Sequence, residues 1–160
     1  MLEVRTEDVL WYADHSLDEM VAILRQLGDE TANRRPRLPG ANSPFAIVTH
    51  CLGVMEFWAG AMIADRPIVR DRDAEFSATG AVEELVTRTA AARRQLAVDL
   101  ESLAPLAPPR RPGPAGDAHL PFARTQGGVV LHILEELMQH LGQLELTRDL
   151  LDAERTAPPT

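Results

Sequence analysis

Apolar positions recur at three-and-four spacing in four long stretches of the chain, and no segment shows the strict alternation of a half-buried strand. From about Glu7 to Asn33 the series Leu10, Ala13, Leu17, Met20, Leu24 and Leu27 predicts an amphipathic helix with a bundle-type seam. Thr6 is placed to cap it and Arg34-Arg35-Pro36 to end it. Ser43-Pro44 reads as an N-cap followed by proline at the first helical position, opening a second helix that runs to about Ala64. Its apolar face is wide, taking in Ile47, Val54, Phe57, Trp58, Ala61 and Met62. A third helix, about Ala81 to Leu103, turns Val82, Leu85, Ala92, Leu96, Leu100 and Leu103 inward, and a fourth, Gly127 to Leu151, carries the stripe Ile133, Leu137, Leu141 and Leu144.

The links differ in character. Arg35 to Asn42 is a connection bearing Pro and Gly, and Pro105 to Pro121 is a long one of the kind that is disordered or functional. Arg70 to Phe76 (RDRDAEF) alternates in charge without helical periodicity, so a solvated loop is expected there, with a place at the mouth of a site as the other use for it. Four amphipathic helices and no strand predict an all-α four-helix bundle with long connections: one domain over residues 1–155 and a C-terminal tail at 156–160.

Composition narrows the partners. A net charge of −8 and a pI near 5.1 argue against binding a nucleic-acid backbone. No apolar run approaches the roughly 20 residues that span a bilayer, so no membrane partner is expected. The acidic opening MLEVRTEDVL lacks the order of a signal peptide, which points to the cytoplasm. The single cysteine, Cys51, excludes an internal disulfide and a cysteine-built zinc site, so any metal must be held by His and carboxylates. All 16 basic residues are Arg, and Ala, Leu and Pro abound, which suggests a GC-rich genome such as an actinobacterium's.

Candidate chemistry lies on the second and fourth helices. His132, Glu136 and His140 follow at i, i+4 and i+8, so a helix sets them in one row with neighbouring Cβ atoms roughly 6 Å apart. The row continues through Gln143 and Thr147 beside the apolar stripe, where an unpaired ionisable group is costly to bury. His50 shares an inward row with Val54, Phe57 and Ala61. On its own helix it reads as a core histidine bonded to a carbonyl; facing the fourth helix it becomes a metal ligand. Glu136 and His140, one turn apart, can reach one ion, as the two histidines of the zinc-protease helix motif do, with His50 as the third ligand. Two imidazoles and a carboxylate leave a position open, the pattern of catalytic zinc, and the same set suits non-haem iron(II). A di-iron carboxylate centre would need Glu-x-x-His on two helices and a zinc protease His-Glu-x-x-His, and the sequence has neither. His132 stands one turn further out, either hydrogen-bonded to a ligand or a bound thiol or simply at the helix edge. His15 and His119 read as surface histidines and Cys51 as a small buried hydrophobe. Arg72 and Arg124, in loops near the helix ends, are contacts for cofactor or substrate or else solvated.

The segment Ser43-Pro44-Phe45-Ala46-Ile47-Val48-Thr49-His50-Cys51-Leu52, with Trp58 following, and HILEELMQHLGQLELTR from His132 to Arg148 resemble the DinB/YfiT-like metal-binding four-helix proteins. Within them the sequence is most similar to the actinobacterial mycothiol-dependent branch, which includes the metal-binding domain of mycothiol-dependent maleylpyruvate isomerase. RDRDAEF resembles that branch too, and the likeness covers nearly the whole chain. It implies a cytoplasmic bundle, often a homodimer, holding zinc or a similar divalent ion such as nickel or iron, which activates the thiol of a low-molecular-weight cofactor, here mycothiol. Many relatives carry three histidines; Glu136 stands where the first fourth-helix histidine would be, and His50 and His140 match the other two, a His-Glu-His version that resembles the isomerase branch. His140-Leu141-Gly142-Gln143 matches the family's His-x-Gly-Gln turn. The chain ends at Thr160 soon after the fourth helix, so the isomerase's further C-terminal domain is not expected. The expectation is a thiol S-transferase in which a metal-activated thiol attacks a small electrophile. A non-catalytic metal- or ligand-binding stress-response protein of the same fold is the alternative, and an iron-dependent oxygenase a third.

Overall fold

Local sequence decides where each helix of the computed structural model begins; the model describes residues 4–114, 116 and 119–156. The elements are α1 (Thr6–Ala32), α2 (Pro44–Met55), α3 (Arg72–Ser77), α4 (Val82–Leu100) and α5 (Gln126–Thr156), with no strand among the described residues. The four long helices are those predicted; α3 is an addition. Of the expected tail at 156–160, Thr156 closes α5 and the rest lies outside the described residues, as do 115, 117 and 118 of the long connection.

In α1 the cap is Arg5, not Thr6, because the Asp8 carboxylate accepts the Arg5 backbone N–H at 3.2 Å and fixes the first turn one residue earlier. The helix breaks at Gly28, whose φ of 67° and ψ of 173° suit glycine alone. Beyond the break Asp29 accepts the Val82 N–H at 2.8 Å and so caps α4 from outside. The Asn33 side chain bonds both the N–H and the carbonyl of Gly80 at 3.0 and 2.8 Å. The end of α1 thus sets the start of α4.

Ser43 caps α2 by accepting the Ala46 N–H at 3.3 Å, with Pro44 at the first helical position. Residues 43–52 are buried throughout, so the wide apolar face is in effect the whole circumference of a central helix. After Met55 the helix loosens into a π segment, Glu56–Ala61, before ending near Met62. Such insertions re-aim side chains and recur at functional sites; here the segment carries Phe57 and Trp58.

Both α1 and α2 pack against α4 and α5. Leu17, Met20 and Leu24 of α1, Ile47 and Met55 of α2, Leu85 of α4, and Leu137 and Leu144 of α5 are fully buried in one core, each worth about 1.5–3 kcal/mol. Two bidentate ion pairs brace the α2 side: Arg66 with Asp99 at 2.9 and 2.8 Å, and Arg70 with Glu75 at 2.7 and 2.8 Å. Each fits against a glycine of the helix. A Cβ on Gly60 would stand 2.8 Å from Arg66 Cζ, and one on Gly53 2.6 Å from Glu75 Cδ. The long connection is anchored by buried Gln126, whose amide accepts the Ala104 N–H at 2.9 Å and donates to the Pro108 carbonyl at 3.2 Å. No helix among the described residues is long and apolar enough to cross a membrane.

Candidate metal centre

The inward face of α2 and the edge of α5 meet at three donors. His50 Nε2 lies 3.4 Å from Glu136 Oε2, and His140 Nε2 lies 3.1 Å from the same oxygen. The two rings meet edge to face at 4.7 Å. One ligand atom from each of His50, Glu136 and His140 falls within 4.8 Å of the others, the one such cluster of metal-binding side chains among the described residues. His50 is 3% exposed, and the other two are partly buried. The donor set fits a divalent ion: two imidazole nitrogens and a carboxylate, aimed at one point.

What aims them is the far nitrogen of each ring. His50 Nδ1 lies 2.8 Å from Glu75 Oε2, and His140 Nδ1 lies 2.7 Å from Gln143 Oε1. Both partners are oxygen acceptors, so with a metal bound each Nδ1 would keep its proton and donate it, and each Nε2 would offer its lone pair to the ion. The Arg70 guanidinium, 3.3 Å from His50 Nδ1, donates to the same Glu75 oxygen at 2.8 Å; the two donors gather on one carboxylate. Phe76 stacks on the His50 ring at 4.6 Å.

Charge inside the cluster is balanced by protons when no metal is bound. Hydrogen bonds from His140 and then from His50 hold the Glu136 carboxyl far below the usual carboxylate range, although burial opposes them. The Glu136 bond in turn raises His140 above its ordinary value, again against burial. Burial, followed by the charge on Glu136, pushes the Cys51 thiol far up, so that buried cysteine is neither a ligand nor a nucleophile.

Two of the donors, His50 and Glu136, line a cavity of about 650 Å³. Phe57, Trp58 and Phe122 give it an aromatic lining, Pro114 and Leu120 of the long connection lie along it, and Arg70 and Arg72 bring positive charge. A smaller cavity of about 320 Å³ surrounds the Arg66–Asp99 pair and lacks the three donors.

His132 lines the larger cavity beside His50 and Glu136. Its Nε2 is 3.7 Å from Glu136 Oε1, beyond hydrogen-bond reach, while its ring stacks on Phe122 at 3.9 Å and meets the edge of Trp58 at 4.8 Å. The acceptors facing the far ring nitrogens of His50 and His140 are instead Glu75 and Gln143. Gln143 lay in the predicted row; Glu75 lay in the segment expected to be a solvated loop. That segment instead folds as α3, because Asp71 caps it by accepting the Ala74 N–H at 3.0 Å, and one turn brings Glu75 inward to 8% exposure. The Asp cap and the facing Gly53 were the available signals. Arg72 lines the cavity, whereas Arg124 donates to the His119 carbonyl at 3.3 Å and does not. His15 is exposed and stacks on Trp11 at 5.4 Å.

A sequence profile of the DinB superfamily matches residues 12–144, which covers α2 and α4 whole, most of α1, the first part of α5 and every donor named above. The chain belongs to the DinB superfamily. No curated protein and no solved structure matches it. The superfamily match supports the helical fold and is consistent with a divalent-metal site, without selecting a branch, a metal or a reaction.

Proposed function

We propose that this DinB-superfamily protein is a divalent-metal-dependent thiol S-transferase, with His50, Glu136 and His140 as the metal ligands. The observation that carries the reading is the convergence of these three donors, with His50 and Glu136 lining a 650 Å³ aromatic-lined cavity. A structural metal site is closed on all sides by protein; a three-donor site that borders a cavity leaves room for an exogenous ligand. When bound, the ion supplies a Lewis acid that makes thiolate available at neutral pH. Zinc is the metal proposed first, with nickel or iron as the others.

The chain's own groups define the rest of the chemistry. On a bound divalent ion two neutral imidazoles and one carboxylate would leave net positive charge, and Arg72, which has no ion pair among the described residues, adds to it, so an anionic thiolate is favoured. Phe57, Trp58 and Phe122 offer an apolar surface to the electrophile. In the transfer the thiol proton leaves to solvent and a sulfur–carbon bond forms. The electrophile's electron pair departs with a leaving group, or takes up a proton where the thiolate has added across a double bond. Mycothiol is proposed as the thiol on the strength of the sequence resemblance, as are the homodimer and the cytoplasmic location.

The experiment is a conjugation assay on metal-loaded and chelator-treated protein with mycothiol, bacillithiol and glutathione against a panel of reactive electrophiles. Metal-dependent conjugation with mycothiol above the other two is the expected result. No metal-dependent conjugation with any of the three overturns the transferase reading, and metal binding without turnover replaces it with a ligand-binding protein.

A further inference from the structure

The proposed ligands do not account for one buried assembly beside them: Arg70, Glu75 and Gly53. Glu75 is a carboxylate at 8% exposure, expensive to bury unless paired. It is paired twice, to Arg70 at 2.7 and 2.8 Å and to His50 Nδ1 at 2.8 Å. It reaches that position only because α2 has no side chain at Gly53, where a Cβ would overlap the carboxylate. A glycine inside a helix is less favourable than alanine. At Gly53 that cost leaves space which one carboxylate fills.

We propose that Glu75 is a positioning residue for the metal centre: seated in the Gly53 notch and neutralised by Arg70, it fixes the ring and tautomer of His50 and so sets the affinity for the ion. This rests on the assignment of His50 as a ligand. Three features distinguish it from a salt bridge that merely ties α3 to α2. The hydrogen bond falls on the ring nitrogen opposite the one facing Glu136, so it selects the tautomer that a metal needs. Arg70 satisfies both carboxylate oxygens, so the carboxylate holds the N–H without adding uncompensated negative charge to the site. Phe76, the next residue, lies against the ring face, so one short helix restrains His50 both along its edge and across its plane. The charged segment is therefore the part of the chain that preorganises a ligand carried by another helix.

The test is the zinc affinity of the full-length protein, measured by competition with a chromophoric chelator, for wild type, Glu75→Ala, Glu75→Gln and Gly53→Ala. The ¹⁵N spectrum of the His50 imidazole is recorded on each zinc-loaded protein. Glu75→Ala is expected to weaken zinc binding about 10–100-fold, and Glu75→Gln, whose amide oxygen still accepts the Nδ1–H, to recover part of that loss. Gly53→Ala is expected to weaken binding in the same direction, although it alters no polar group. In wild type the His50 signals should report a protected Nδ1–H, and in Glu75→Ala that proton should exchange freely. Zinc affinities within twofold of wild type for both Glu75→Ala and Gly53→Ala, with wild type binding zinc, overturn the positioning role and leave the metal site standing. Failure of wild type to bind zinc, nickel or iron overturns the metal reading and this inference with it.

Discussion

The two histidines that face Glu136 are held in opposite ways. His50 sits on a helix buried all round, 3% exposed, with a carboxylate behind it, an arginine behind the carboxylate and a phenyl ring against its face. His140 sits on a helix edge, partly buried, with one neutral amide behind it, supplied by Gln143 from its own helix. The same ring needs three residues from another segment in the first place and a single neighbour in the second. Burial is the reason. A ring inside a helix-lined core has no solvent to satisfy its second nitrogen, so the fold must deliver a partner from elsewhere. A ring at a helix edge is served by the residue three positions on.

The largest effect should come from the residue both histidines share. Glu136→Ala removes the acceptor of both Nε2 contacts, and metal retention should fall by more than about 100-fold, beyond the range for losing a supporting partner. Equilibrium dialysis against zinc reads this directly. Retention near the wild-type level would show that the histidines bind without the carboxylate. Gln143→Ala should cost about 10-fold, at the lower end of that range, because water can replace a neutral amide at a partly buried ring. A Gln143→Ala loss exceeding that of Glu75→Ala would reverse the comparison.

The pH response should differ between the metal-free and metal-loaded protein. In the metal-free protein His140 is raised above 6.5 by Glu136, so their pairing stabilises fully below pH 6.5 and is lost as pH rises through the raised value. Glu136 is depressed below 4.5, so its contribution is present above pH 4.5 and lost as pH falls through the depressed value. Thermal melts of the metal-free protein should therefore decline above neutral pH, while zinc affinity rises over the same interval as the proton competing for His140 leaves. A metal-free melt that keeps rising there contradicts the pairing. The smallest effect is expected at Asp71. Removing the cap of α3 with Asp71→Ala should cost about 1 kcal/mol locally, and weaken zinc binding only through the fraction of molecules in which α3 is frayed. Amide exchange at Ala74, the capped N–H, measures that fraction.

The same contrast explains how much could be read from the chain. The four long helices and the facing of His50 toward Glu136 and His140 follow from apolar spacing, because bundle helices repeat their pattern over several turns. Gln143 was visible in the row for the same reason. Glu75 was not, since α3 spans six residues and one turn carries no period. Its clue is a glycine on a different helix, which sequence spacing cannot connect to it. The break at Gly28 and the π segment at Glu56–Ala61 escaped for a related reason: each depends on what the backbone meets in three dimensions. His132 shared the row of Glu136 but followed its aromatic neighbours, Phe122 and Trp58, which come from other elements.

His50, Glu136 and His140 are proposed to hold one divalent ion together. Elemental analysis of protein purified without added metal, repeated on His50→Ala, tests this most directly. About one equivalent of a divalent metal per chain is expected in the wild type, and its loss in the variant. A wild type without stoichiometric metal, even after reconstitution, or a His50→Ala variant that keeps it in full, would contradict the account.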